Sequence, residues 1–401
     1  MESAPPPERS RRTVVAALGV AQLLGWGTSF YFPGVLAVPI VADTGWPLSV
    51  IVGGVSLGLL VAGLISPRVG RVIGARGGRP VLALSSVLFA SGLAVIGLAP
   101  ALPVYLVGWI IVGAAMGCGL YDAAFAALGR LYGATARGPI AALTLFGGFA
   151  STVCWPLGAF LAANIGWRGT CFAYALLHLL IALPLQLLLP DRVGTLSDAK
   201  RPVARETSSV TLMPGEGAIV VLLALTLTLS AGIGSIVVVH LLLILEAKNL
   251  TPAVAVSIGT LFGPAQVGAR VIENVFGTRY HPIWTMVASC AAMAAGLAAM
   301  LTVSGVTVLT LAMIVYGGGY GIMWIARGTL PLALFGAERY PVLMGRLALP
   351  SLIVQALAPF AAALLLERAG IEVMVGALVA IAAINAALVV MLWMLCRPHR
   401  T

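Results

Sequence analysis

The sequence predicts an all-α membrane protein whose twelve transmembrane helices form two pseudo-symmetric six-helix bundles. Three observations support this fold class: the composition, the number of long apolar segments and an internal repeat. The chain is 60% hydrophobic and only 9% charged, with a mean hydropathy of +1.06. A soluble protein cannot bury that much apolar surface, so lipid must be the solvent for most of the chain.

Twelve apolar segments are long enough to cross a bilayer as helices. Each covers roughly 20–30 residues, which spans about 30 Å of hydrocarbon with some tilt. The first six start near residues 14, 48, 80, 103, 139 and 168, and the second six near 217, 252, 282, 306, 342 and 372. The connections between them are short, except for one polar stretch in the middle of the chain.

The polar stretch at 190–216 is predicted to be a cytoplasmic linker between the two bundles. It carries mixed charge, several prolines and few large apolar residues, as linkers do. It separates an N-terminal bundle at 14–189 from a C-terminal bundle at 217–396, with short cytoplasmic tails at 1–13 and 397–401. The first tail leads directly into a full-length span, so no cleavable signal peptide is expected.

Two loop segments recur at a nearly constant offset and indicate that the halves are related. GRVIGARGGRPVLAL, from Gly70, aligns with RVIENVFGTRYHPIWT, from Arg270. LYGATARGPIAAL, from Leu131, aligns with LFGAERYPVLMGRL, from Leu334. Duplicated apolar halves are typical of membrane transporters, which rock two bundles around one pathway.

The distribution of basic residues predicts the orientation. With both termini inside, only Arg168, Lys248 and Arg368 fall on the outside, and the other loop arginines and lysines fall on the inside. This is the positive-inside pattern, so the net charge of +10 reflects topology and does not indicate nucleic-acid binding. The expected location is the inner membrane, multi-pass, with both termini cytoplasmic.

No pattern in the sequence indicates catalysis, a metal or a cofactor. The four histidines are scattered, and the five cysteines lie in apolar segments without the spacing of metal ligands. We therefore expect no enzyme activity, no cofactor and no metal site. The expected partners are a small-molecule solute, protons and the lipid bilayer, and the chain is expected to be a monomer.

The organisation in two sets of six spans, with a basic loop after spans two and eight, resembles the major facilitator superfamily over nearly the whole chain. The loop signature of that superfamily runs approximately G-x-L-x-D-R-x-G-x-R. The same slots here hold Gly70, Val72, Gly74, Ala75, Gly77 and Arg79. The glycines and the final arginine match, whereas Gly74 and Ala75 replace the acid and its neighbouring base. The ion-pair latch that the resemblance implies therefore lacks its acid here.

Other residues resemble bacterial relatives of the monocarboxylate porters. Gly166, Trp167 and Arg168 precede span six, and Gly25-Trp26-Gly27 lies in span one. In those porters, span eight carries an acid followed four residues later by an arginine. The matching positions here are Gln266 and Arg270, so the arginine is kept and the acid is not. The glycine-proline motif of drug antiporters in span five is absent.

Ionisable residues inside predicted spans are costly and therefore suggest function. Arg270 in span eight offers a planar, always-charged guanidinium to a carboxylate or a similar anion. Glu273 lies three residues further along on the same helix face. It could instead neutralise Arg270 and anchor the end of the helix, and both interpretations stay open.

Arg327 in span ten and Asp122 in span four have no opposite charge within four residues on their own helices. Counted from the second repeat, they lie within about 3 Å of the same depth. The resemblance places these spans opposite each other across the cytoplasmic half of the cavity, so we expect an Asp122–Arg327 bridge that closes an inner gate. Alternatively, Arg327 binds solute while Asp122 carries a proton, or each residue pairs locally without a role.

The remaining candidates are polar or aromatic residues in spans that are expected to line a cavity. His240 in span seven suits proton exchange because histidine titrates in the physiological range, although a packed histidine explains it equally well. Tyr31, Tyr121, Trp324 and Gln355 could orient a solute, and Gln22 belongs to the same group. For each one, packing between helices is the plainer explanation.

Together these observations predict a secondary transporter that works by alternating access around a site near the bilayer midplane. Two arginines within predicted spans against one isolated acid favour a small organic anion, such as a monocarboxylate, moved by proton symport. The alternative is proton-driven efflux of hydrophobic or toxic compounds, with the arginines purely structural. A sensor that binds a solute without moving it is a third possibility, from a different functional class.

Overall fold

The structure is a computed structural model that describes residues 9–190 and 216–396. The regular secondary structure in these residues is helical throughout, and no strand occurs among them. The predicted linker at 190–216 lies outside the described residues apart from its two ends, as do most of the N-terminal tail and the whole C-terminal tail.

Residues 9–190 form nine α-helices. They are α1 (Arg9–Thr28), α2 (Pro33–Thr44), α3 (Leu48–Arg76), α4 (Arg79–Leu98), α5 (Leu102–Gly119), α6 (Tyr121–Tyr132), α7 (Arg137–Gly148), α8 (Ala150–Leu177) and α9 (Leu183–Leu187). A 3₁₀ turn at Gly133–Ala136 joins α6 to α7, and a π-helical turn at His178–Ala182 joins α8 to α9.

The described part of the second half, residues 216–396, forms six α-helices. They are α10 (Glu216–Glu246), α11 (Pro252–Thr260), α12 (Phe262–Phe276), α13 (Pro282–Thr302), α14 (Val306–Ala369) and α15 (Ile371–Cys396). A 3₁₀ turn at Gly277–Arg279 follows α12.

These helices account for the twelve predicted spans. In the described residues, eight helical segments are long and apolar enough to cross a membrane. The segment Leu102–Leu187 turns at Gly133 and Gly166 and so holds three spans, and Val306–Ala369 turns at Gly336 and holds two. Helices α11 and α12 together form the remaining span. The fold is therefore the predicted all-α architecture of two six-helix bundles.

Most predicted span starts agree with the helices within two residues. Spans predicted from 48, 252, 282 and 306 begin at the first residues of α3, α11, α13 and α14. The start predicted near 342 is several residues late, because the backbone turns at Gly336, where φ is 72°. Apolar residues continue through this turn, so hydropathy alone does not locate it.

Left-handed backbone positions recur in both halves and confirm the internal repeat. The pairs are Gly45 and Asn249 (φ 68° and 61°), Gly133 and Gly336 (55° and 72°), and Gly166 and Gly370 (68° and 85°). Each pair lies at nearly the same offset in the sequence. A Cβ in this conformation is strained by roughly 1–2 kcal/mol, which explains why five of the six positions are glycine.

The chain divides into two compact units. The first comprises Met1–Leu212 and Leu334–Ala348, and the second comprises Met213–Ala333 and Leu349–Thr401. Residues 334–348 lie within α14 but pack on α3, where Ser66 Oγ donates a hydrogen bond to the Gly345 carbonyl at 3.0 Å. A Cβ on Gly345 would collide with the Ser66 carbonyl oxygen, so this contact is between backbones. The sequence does not predict it.

Candidate functional site

Arg270 is buried on α12 and is oriented by two hydrogen bonds. Its Nε donates to the Gly321 carbonyl at 3.0 Å, and its Nη2 donates to Gln266 Oε1 at 3.2 Å. A Cβ on Gly321 would lie 2.6 Å from the Gln266 carbonyl oxygen, so α12 and α14 approach closely at this point. The hydrogen bonds from Nε and Nη2 help to set the orientation of the Arg270 guanidinium.

Glu273 lies one turn from Arg270 but is held by hydroxyl groups. Thr285 Oγ1 donates to Glu273 Oε1 at 2.6 Å, and the Tyr280 hydroxyl donates to Oε2. A Cβ on Gly277 would collide with this carboxylate, which explains why glycine follows the helix here. Both carboxylate oxygens of Glu273 thus accept a hydrogen bond from a hydroxyl group. Glu273 therefore fastens the connection between α12 and α13.

Arg327 lies at the end of a run of aromatic rings on α14. Its Cζ is 5.7 Å from the centroid of the Trp324 ring, and the residue is 1% exposed. Trp324 contacts Tyr320 edge to face at 6.1 Å, and Phe262 of α11–α12 stacks on Tyr320 at 5.7 Å. A cation over an indole is stabilised by the ring quadrupole, most strongly where water is excluded.

A second aromatic cluster lies in the first unit. Tyr121 is 5.1 Å from Trp26 and its hydroxyl donates to the Thr144 carbonyl at 3.1 Å. Tyr31 is 6.1 Å from Trp155, edge to face. Sequence reasoning singled out Tyr31 and Tyr121 but not Trp26 as a ring partner, because residues far apart in sequence form these contacts.

Asp122 lies in the first turn of α6, just after a break in the fourth span. Leu120 is extended there (φ −78°, ψ −170°) and separates α5 from α6. Gln22 Nε2 donates to the carbonyl of Gly119 at 2.5 Å and so supports the break. An acid in the first turn of a helix is favoured by the helix dipole, typically by 0.3–1 kcal/mol.

Asp122 also faces a small, partly open cavity between helices of the first unit. Its other lining residues are Ser66, Val69, Gly70, Gly117, Ala123, Ala126 and Gly345. Most of them are glycine or alanine, and Asp122 is the one titratable group that lines it. The space is about the size of one water molecule, so it is too small for an organic solute.

Two buried glutamines each carry an amide atom with no hydrogen-bond partner among the described residues. These atoms are Gln22 Oε1 in the first unit and Gln355 Nε2 in the second. Gln22 is 0% and Gln355 3% exposed. A buried polar atom without a partner is costly, so each is a place where a solute or a water can bond.

The two buried histidines hold neighbouring helices together. His240 Nε2 is 3.1 Å from the Pro359 carbonyl, and since a carbonyl only accepts, this nitrogen carries the hydrogen. His178 Nε2 is 2.8 Å from Thr28 Oγ1, and the same hydroxyl donates to the Leu24 carbonyl. Both rings therefore bond backbone or hydroxyl groups of an adjacent helix.

The loop motif shapes the end of α3. Gly77 ends this helix with φ 90°, and Arg79 begins α4. A Cβ on Gly70 would collide with the Pro341 carbonyl oxygen. At Gly74, which occupies the slot of the missing acid, the backbone carbonyl accepts a hydrogen bond from Arg130. In this protein, contacts through the backbone at Gly70 and Gly74 therefore occur in the segment where the family signature carries an ion pair.

The structure brings some of the predicted site residues together and leaves one pairing untested. Trp324 lies beside Arg327, and Gln266 beside Arg270. Asp122 belongs to the first compact unit and Arg327 to the second, so the bridge between them stays a prediction. Among the described residues, no group of three or more metal-ligating side chains occurs.

This chain belongs to the major facilitator superfamily, because the model of that family matches residues 15–345. It is therefore a multi-pass membrane transporter and not an enzyme. Comparison with the curated proteins gives no match.

Several solved structures share the fold at low sequence identity. The human organic anion transporter MFSD10 (TETRAN) superposes with a TM-score of 0.73 at 17% identity, covering 96% of this chain and 100% of that one. The proton:xylose symporter XylE gives 0.73 at 14%, with 94% and 95% covered. The Escherichia coli fucose:proton symporter FucP gives 0.70 at 15%, with 95% and 99% covered. These similarities establish the fold alone.

Proposed function

We propose that this protein is a secondary active transporter that moves a small organic anion, such as a monocarboxylate, across the inner membrane together with protons. The observation that carries the proposal is the burial of two arginines, Arg270 and Arg327, which are 3% and 1% exposed. A guanidinium is always charged and pairs bidentately with carboxylates. Two of them among transmembrane helices favour an anionic solute.

In this proposal, Arg270 and Arg327 bind the carboxylate, and nearby rings and amides orient the rest of the solute. Trp324 packs against Arg327, and Gln355 Nε2 supplies an unused donor. Tyr31 and Tyr121 are proposed as further contacts for the apolar part of the solute.

Proton coupling is assigned to Asp122 rather than to Glu273 or His240. Glu273 already accepts two hydroxyl hydrogen bonds, and His240 donates to Pro359. Asp122 is half-buried, and its cavity of small residues leaves room for water. Transport would follow alternating access, with the bundles at 14–189 and 217–396 rocking in a monomer whose termini are both cytoplasmic.

A ligand-stability screen tests the anion proposal first. Purified protein is heated with small carboxylates and with lipophilic compounds, in parallel with Arg270→Gln and the control Arg279→Gln. A ligand at a hundred times its Kd stabilises the fold by about 2.7 kcal/mol. Stabilisation by a carboxylate in the wild type and the control, but not in Arg270→Gln, would support the proposal. Equal stabilisation in all three proteins would contradict it.

Proton-driven efflux of hydrophobic compounds is the second candidate function. The two aromatic clusters favour it, since stacked rings around Trp26 and Tyr320 suit a planar lipophile as well as an acid. In the same screen, stabilisation by lipophiles that persists in Arg270→Gln would select efflux. Accumulation of the stabilising compound in right-side-out vesicles, or its exclusion from them, then gives the direction.

A further inference from the structure

Three arginines lie along one face of α3. Arg68, Arg71 and Arg76 are exposed, and their spacing places them on one side of an α-helix together with exposed Leu64 and Val72. Within residues 9–190 and 216–396, none of the three makes a hydrogen bond or an ion pair. We refer to Arg68, Arg71 and Arg76 as the arginine stripe.

The opposite face of α3 is packed against the first unit. Ser66, Gly70 and Ile73 are buried there, and Ser66 bonds the Gly345 carbonyl. Successive residues of an α-helix turn by about 100°, so this packed face and the arginine stripe point in opposite directions. The stripe therefore faces away from the protein interior.

The corresponding helix of the repeat shows what surrounds this face. The loop repeat aligns Val72 with Ile272, so Arg71 and Arg76 correspond to Val271 and Phe276 on α12. Val271, Ile272 and Phe276 are 46%, 61% and 49% exposed. Large apolar side chains exposed side by side on a transmembrane helix are solvated by lipid. The equivalent face of α3 thus lies at a lipid boundary and carries arginines in place of apolar residues.

Arginines at a lipid boundary need an anion. Their long side chains reach towards the headgroup layer, where phosphate oxygens accept from the guanidinium in a bidentate geometry. From Arg68 to Arg76 the helix rises about 12 Å, so the stripe can reach more than one phosphate. Because α12 does without these charges, the repeated fold itself does not require them.

We propose that the arginine stripe binds the headgroup phosphates of anionic glycerophospholipids on the predicted cytoplasmic side of the membrane. Three positive charges without a described carboxylate partner are complementary to a net negative headgroup such as phosphatidylglycerol. A zwitterionic headgroup such as phosphatidylcholine offers the phosphate but also a positive charge, which the stripe repels. The site is independent of which solute the protein transports.

Native mass spectrometry of the full chain tests this site. The protein is incubated with equal amounts of phosphatidylglycerol and phosphatidylcholine, and the retained lipids are counted. Each basic residue near an anionic surface contributes about fivefold in affinity. The triple variant Arg68→Gln/Arg71→Gln/Arg76→Gln should therefore bind phosphatidylglycerol roughly a hundredfold more weakly, and the triple lysine variant should retain most of the binding.

The matched control removes the same charge elsewhere. Arg12, Arg279 and Arg346 are also exposed and lie on other elements, and their triple glutamine variant should bind phosphatidylglycerol like the wild type. Equal losses in both triple variants would overturn the proposal, since net charge alone would then explain them. It would also be overturned if the α3 variant lost stability equally in phosphatidylglycerol and phosphatidylcholine vesicles, because another part of the chain would then be the partner of the stripe.

Discussion

The two halves of the chain keep the same turns but differ in the continuity of their helices. The span α10 runs unbroken from Glu216 to Glu246, whereas its counterpart in the first half is divided into α1 and α2 between Thr28 and Pro33. The tenth span is continuous up to Gly336, whereas the fourth is broken at Leu120. Spans one and four of the first half are thus interrupted where their counterparts are continuous, whereas span eight of the second half is divided into α11 and α12.

The halves also differ in where they carry charge. The acid Asp122 lies at a helix break in the first half, while Arg270 and Arg327 lie on regular helix in the second half. A broken helix leaves backbone N–H groups that stabilise an acid. A guanidinium instead needs acceptors and close-packed backbone, which Gly321 supplies for Arg270. The paired left-handed turns are therefore shared by the two halves, whereas the charged residues differ along with the local helix geometry.

The largest effect is expected at Arg327. Arg327→Gln should reduce uptake of an anionic solute at least thirtyfold, because losing one partner of a buried charged contact costs about 2–5 kcal/mol. Arg368→Gln, on the exposed end of the same helix, is the matched control and should transport normally. Initial uptake rates in proteoliposomes measure both variants. Unchanged uptake in Arg327→Gln would exclude Arg327 from the anion site.

Exchanging the charges between the halves tests the predicted gate. Asp122→Arg and Arg327→Asp should each lower transport at least tenfold, since each leaves two like charges at the gate. The double variant should recover part of the loss if the two residues form a bridge. Failure of the double variant to exceed either single variant would reject the bridge and leave separate roles for proton and solute.

Removing one hydrogen bond to Glu273 should have a smaller effect, on the stability of the fold and not on transport. Thr285→Val keeps the shape of the side chain and removes the hydrogen bond to Oε1, and hydrogen bonds to charged groups contribute roughly 1.5–3 kcal/mol. The free energy of unfolding in mixed detergent should fall by that amount, while solute affinity stays within a factor of two or three. A large loss of affinity at full stability would instead give Glu273 a part in the site.

The paired left-handed glycines test how closely the repeat is kept. Gly166→Ala and Gly370→Ala should each destabilise the fold by roughly 1–2 kcal/mol, because φ is positive at both while the space for a Cβ is open. The controls Gly53→Ala and Gly376→Ala, within helices and equally open, should be neutral or stabilising. Unequal losses in the pair, measured by denaturant unfolding, would show that the turns have diverged in energy.

The membrane class, the twelve spans and the duplication could all be predicted from the order of the residues. Hydropathy is a local property of about twenty residues, so most helix starts could be predicted within two residues. The repeated loop segments, with their glycines at matching positions, showed that the two halves are related. The family signature and its missing acid at Gly74 were also visible, because these features depend on residue identity and spacing alone.

The contacts of each candidate side chain, in contrast, depend on how the helices pack in three dimensions. Arg270 and Glu273 share a helix face, so the spacing allowed a pair. In the structure, Glu273 bonds Tyr280 and Thr285, and Arg270 bonds Gly321 and Gln266. The grouping of Leu334–Ala348 with the first unit was equally invisible. Contacts between helices depend on rotation and close approach, which packing sets across long sequence separations.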